Sequence, residues 1–264
     1  MNKALLKHEC RQLKKTTLIW SLAVGLLGLL TIAVFSSLQG DMEQMSEQFA
    51  KMGAFADAVG MNKMSIGTIE GYYAVEVSVI FGLGGAMFAA SVAINMLSKE
   101  EGGHTGEFLY ATSVSRGGAV ATKFAAVLIA LLTFTVICLA LFGVGFLILG
   151  EGVPLPKFTH FHAMQLLMNV EVAAICFAIS AYTAQNLFGL GIGLVLVLYF
   201  SDMMARVVPS LEILKTVSPY GFACAADIFS DTKIEPAGIV LGVICIVAAL
   251  TAAVIHYRKK DLAA

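Results

Sequence analysis

Residues 98–123 read SKEEGGHTGEFLYATSVSRGGAVATK and set a polar island between two long apolar runs. The island carries the acids Glu100, Glu101 and Glu107, the bases Lys99, Arg116 and Lys123, and His104. Gly102 and Gly103 break the chain before Gly106–Thr112; Ser113, Ser115, Gly117 and Gly118 break it after. The centre therefore predicts a short helix whose apolar tip is Phe108 and Leu109. Such a helix, with a charged rim, suits a groove on another protein. It does not suit a phosphate cradle, because Glu107 stands where that chemistry needs a lysine. G-x-x-x-x-G-K-[ST] occurs nowhere in the chain, so any ATP-driven step needs a separate ATPase. The histidine pair His160-x-His162 reads as interfacial polarity rather than as metal ligands. No metal site and no cofactor are expected on this chain.

A second set of candidates lies inside the apolar runs, where ionisable groups are costly and point to function. Glu171, Asn169 and Glu76 are the candidates for a substrate path. Glu171 is the deepest, and a structural hydrogen bond to a neighbouring helix explains it equally well. Glu76 lies near enough to a surface to stay hydrated. Asp202 and Arg206 are spaced as an i,i+4 ion pair.

The elements that position these groups follow from composition. Of 264 residues, 58% are hydrophobic and 13% charged, against about 45–50% and about 25% in soluble domains. Apolar runs predict six spans near 18–38, 73–97, 119–149, 162–184, 187–204 and 236–256. The fold class is an all-α polytopic membrane protein, a single transmembrane domain over 1–264. Residues 1–16 predict a basic amphipathic interfacial helix, not a cleaved signal. A stripe of Phe49, Met52, Phe55, Ala56 and Val59 predicts a short packed helix after the first span. Span three is longer than a bilayer needs, so it tilts or extends beyond the hydrocarbon. Gly82 and Ala86 in span two, and Gly189 and Gly193 in span five, are small residues that allow close helix packing. Five scattered cysteines give no disulfide framework. A net charge of −1 gives no case for nucleic acid. With both termini inside, eleven of the 17 Lys and Arg fall on the cytoplasmic side.

The island resembles the cytoplasmic loop of ABC-2-type transporter permeases. Glu100, Glu101, Gly106, Glu107, Leu109, Val114, Ser115, Arg116 and Lys123 fit that pattern. His104-Thr105-Gly106 reverses the usual Gly-Thr order, and Ser113 stands where proline is common. Leu214 to Tyr220, L-x-x-V-S-P-Y, is similar to the family's re-entrant segment between spans five and six. The resemblance implies a cytoplasmic coupling helix between spans two and three, with the coupling loop over 98–118. It implies docking of nucleotide-binding ATPase subunits on Glu100, Glu101, Gly102, Gly103, His104, Gly106, Glu107, Phe108, Leu109 and Arg116. ATP and Mg would then sit on the partner subunit. A second permease copy, identical or similar, would complete an exporter in the plasma membrane. Two other readings stay open: a scaffold or sensor subunit without a pathway, and an ion-coupled transporter using Glu76 and Glu171.

Overall fold

The computed structural model of the protein describes residues 2–50, 53, 56, 58, 61, 63–103 and 114–260, side chains excepted at 43–45, 47, 49 and 50. The described residues form helices joined by turns and irregular links, without strand. Six helices are long and apolar enough to cross a membrane. They are α1 (Lys3–Ala50), α2 (Ile69–Ala93), α3 (Arg116–Leu149), α4 (Leu155–Ala181), α5 (Phe188–Val207) and α6 (Pro236–Lys259). The segment Gly106–Thr112, expected to form a coupling helix, lies outside the described residues, as do Met52, Phe55, Val59 and the Phe49 side chain of the predicted stripe.

Local chemistry sets the helix ends. All five prolines stand at helix starts, where their missing N–H costs nothing: Pro154 and Pro156 at α4, Pro209 and Pro219 on short helices, and Pro236 at α6. Ser115 caps α3 by accepting from the Gly118 N–H at 3.2 Å. Gly150 ends it in the left-handed region, φ 78°. α2 contains a π-helical turn, Tyr73–Val77. This turn leaves Glu76 exposed while burying Tyr73, Ala74, Val75 and Val77.

The N-terminal segment corrects one expectation. There is no break between an interfacial helix and a first span; residues 3–50 form one helix. Lys14-Lys15-Thr16-Thr17 lowers hydropathy but contains no helix breaker, so polarity changes there and the backbone does not. At about 1.5 Å per residue, α1 and α3 both outrun the ~30 Å hydrocarbon layer. Their contacts show where the excess lies. Asn2 N–H donates to Thr122 Oγ1 at 3.2 Å, and Glu9 meets Lys123. Higher up, a Cβ on Gly25 would stand 2.4 Å from Leu141, and one on Gly28 2.2 Å from Phe142. The two helices run side by side, and their polar first turns are the part left over beyond an apolar layer, at the end where α6 finishes.

The core is aromatic. Tyr73 is fully buried, with the rings of Phe142, Phe146, Phe158, Phe161 and Phe229 centred 5.5–6.3 Å away. His162 belongs to this nest rather than to an interface: it is 3% exposed, bonded to the Phe158 carbonyl at 2.8 Å and to Tyr73 Oη at 3.2 Å. Outward-facing apolar residues such as Leu26, Leu30, Leu132, Val136, Ile244 and Val247 give the bundle its lipid-facing surface.

Candidate functional site

The residues flanking the polar loop converge into a buried ion network at the terminal end of the bundle. Lys123, on α3, is 0% exposed; its Nζ donates to Glu9 Oε1 at 2.8 Å, to the Met96 carbonyl at 3.1 Å, and to Glu100. Glu9, on α1, is buried and also accepts from Lys99. Two acids and two bases from α1, α3 and the turn Lys99–Gly102 thus neutralise one another away from water. Burial pulls the Lys99 ammonium below its ordinary pKa, and the Lys123 charge adds to this; the Glu9 carboxylate opposes both.

A second pair lies beside it. Glu101 is buried and bonded to Lys260 Nζ at 2.8 Å. The same ammonium donates to the carbonyls of Ala181 and Thr183 at 3.1 and 3.2 Å. Arg116 donates to the carbonyls of Arg258, at 3.3 Å, and Lys260. Asn95 holds the α4–α5 turn, donating to Asn186 Oδ1 at 2.8 Å and accepting from the Leu187 N–H at 2.9 Å. A Cβ on Gly102 would stand 2.8 Å from the Ala184 carbonyl oxygen, so this turn lies flat on the α4–α5 turn.

Of the predicted docking residues, Glu100, Glu101, Gly102 and Arg116 therefore face inward partners. Gly103 is exposed at the end of its turn. His104, Gly106, Glu107, Phe108 and Leu109 lie outside the described residues. Glu9 and Lys260 complete the network and were not among the sequence candidates. The signal for Glu9 was a lone glutamate among the bases of residues 3–15. Nothing local marks Lys260 among its basic neighbours.

The opposite end carries a smaller chain of charges. Asp202 Oδ2 accepts from Arg206 Nε at 2.8 Å, the spacing expected of the i,i+4 pair. Arg206 Nη1 reaches Asp227 Oδ2 at 3.3 Å, and Asp227 also accepts from Lys63. Burial alone would raise the Asp227 carboxyl; the bonds from Lys63 and Arg206 outweigh it and hold the group below its usual range. Asp227 sits on one of four short helical segments, Pro209–Leu211, Ile213–Val217, Pro219–Phe222 and Ala225–Phe229. Tyr220, Phe222, Ile228 and Phe229 of this stretch are buried against the spans.

The predicted path residues do not gather at one place. Gln165 and Asn169 share a face of α4 and meet α2. A Cβ on Gly82 would stand 3.3 Å from Gln165 and one on Gly85 2.9 Å from Asn169, while Ala86 is fully buried. Glu171 faces α6 instead, its Oε2 2.7 Å from where a Cβ on Gly242 would stand. Glu76 is exposed on α2. A cavity of about 80 Å³ between α2, α4, α5 and the 220–226 stretch is lined by Gln165, Asp202, Arg206 and Tyr220, not by Asn169, Glu171 or Glu76. In α5, a Cβ on Gly189 or Gly193 would meet nothing within 4 Å among the described residues, and Gly191 is the close contact, 3.3 Å from Ile94 by the same construction.

Among the described residues no group of three or more acids, histidines or cysteines could hold a metal ion. Comparison with curated proteins gives no match. One family model, described as the multidrug efflux system permease Rv1217c, C-terminal domain, matches residues 9–258. That match takes in all six spans and every charged residue of the terminal network except Lys260. By this match over almost its whole length, the chain belongs to that permease family.

Proposed function

We propose that this chain is the membrane-spanning subunit of an ATP-driven exporter, with ATP and Mg bound and hydrolysed on separate nucleotide-binding subunits. Those subunits dock on the loop between α2 and α3, and a second permease copy completes the pathway. The loop and both termini face the cytoplasm, the side that receives eleven of 17 Lys and Arg. The stretch between α5 and α6 dips back toward the membrane, where the spans cover its irregular backbone.

The observation that carries this reading is the clamping of both flanks of the loop. Lys99, Glu100 and Glu101 before it, and Arg116 and Lys123 after it, are tied to α1, α3 and α6. A displacement of the loop therefore moves three spans together. Closure of the ATPase dimer on ATP supplies the differential affinity that shifts the packing of the bundle.

Co-purification from the native membrane tests the dock. A P-loop ATPase is expected with the wild-type chain and is lost on Phe108→Ala or Glu107→Ala while the permease stays folded. Full retention of the ATPase in both variants rejects this docking surface. A second reading, an ion-coupled transporter, draws on the Glu171 carboxylate, buried against α6 at Gly242 and beside Cys245.

A further inference from the structure

The first turns of α1 and the flank of α3 enclose a groove of about 630 Å³. Lys7, Arg11 and Lys14 line it at i, i+4 and i+7 of one α1 face. All three are exposed, and among the described residues none has an acid at ion-pair distance. The network has taken Glu9 for Lys99 and Lys123, which leaves this rim with three uncompensated positive charges. The opposite wall, on α3, is Ala126, Ile129, Ala130 and Thr133, and Leu18 continues the α1 wall beyond the bases.

The height of the groove can be read from the helix contacts. Glu9 lies level with Lys123, and Ser21 lies level with Cys138, whose Sγ is 3.7 Å from the Ser21 carbonyl. Residues 14–18 of α1 are therefore level with about Ile129–Thr133 of α3. That is where the basic turns of α1 give way to its lipid-facing run from Leu18 onward. The groove thus has a cationic half outside the hydrocarbon and an apolar half at its edge.

We propose that this groove binds one anionic phospholipid. Its phosphate oxygens accept from Lys7, Arg11 and Lys14, and an acyl chain lies along Leu18 and Ile129. A zwitterionic lipid brings its own cation beside the three bases, and a free phosphate leaves the apolar wall unused. Basic pockets between membrane helices are suited to such headgroups, and each base near an anionic surface contributes about 1 kcal/mol. The site depends on the chain spanning a bilayer and not on any ATPase partner.

The test is native mass spectrometry of the full-length chain released from nanodiscs with equal phosphatidylglycerol and phosphatidylcholine. The wild type is expected to retain one phosphatidylglycerol. Lys7→Gln/Arg11→Gln/Lys14→Gln is expected to lose that preference on the order of a hundredfold. Lys15→Gln/Lys233→Gln/Lys259→Gln removes the same charge at exposed residues outside the groove's lining and should keep the lipid. Glycerol phosphate, the headgroup alone, should not displace it. Equal loss in both triple variants, or equal retention of phosphatidylcholine by the wild type, overturns the site. So does displacement by glycerol phosphate, or a polypeptide held there in place of lipid.

Discussion

Lys123→Met is expected to cost the folded bundle about 3–5 kcal/mol, the penalty for removing one partner of a buried charge pair. The ammonium is fully buried and holds Glu9 and Glu100 together with the Met96 carbonyl. Its loss leaves the buried Glu9 carboxylate with Lys99 alone, against an uncharged side chain of similar size. In detergent the unfolding midpoint of the full chain should fall by roughly 10 °C. Lys157→Met is the control: Lys157 pairs with Glu70 and Asp231 near the surface, and such pairs contribute about 0–1 kcal/mol. Adding Glu9→Leu to Lys123→Met should recover part of the loss, because a buried ion pair can be replaced by apolar groups at little cost. A Lys123→Met chain no less stable than Lys157→Met would mean that the network does not hold the bundle.

Gly221→Ala should disrupt the stretch between α5 and α6. A Cβ there would stand 1.7 Å from the Lys215 carbonyl oxygen and 2.8 Å from its carbonyl carbon. Those are backbone atoms of the short helix Ile213–Val217, so no rotamer change relieves the overlap. The expected cost is about 3 kcal/mol or more, with hydrogen-exchange protection lost over residues 209–229 while α1 and α3 stay protected. Gly242→Ala is the informative contrast. Its nearest atom, Glu171 Oε2 at 2.7 Å, is the end of a side chain that can turn away. Equal protection of 209–229 in Gly221→Ala and wild type would refute the packing described for this stretch.

Periodicity and apolar run length were enough to read the six helices, because a bilayer leaves the backbone few choices. Four of the six helices begin within four residues of the predicted spans, and α4 begins seven residues early because Pro154 and Pro156 start it. α1 differs most, since a change in polarity at Lys14–Thr17 was read as a change in structure. The Asp202–Arg206 pair was legible because both partners share one helix face. Glu9–Lys123 and Glu101–Lys260 were not, because pairing between distant segments leaves no local signal in one sequence. The loop motif was read as a surface for a partner. In the fold, Glu100, Glu101 and Lys123 are the pieces that lock the loop's flanks to the bundle. The α5 glycines show the same limit: small residues mark a helix as able to pack closely, while the face that does so is set by the neighbour, here Ile94 against Gly191.

The central claim is that the buried charges carry movement of the loop into the spans. Exchanging the Glu101–Lys260 pair tests it most directly, read as ATP-dependent dye uptake into inside-out vesicles bearing the native complex. Glu101→Lys and Lys260→Glu are each predicted to keep the ATPase bound and abolish uptake, and the double exchange to restore it. Wild-type uptake in either folded single variant would contradict the account.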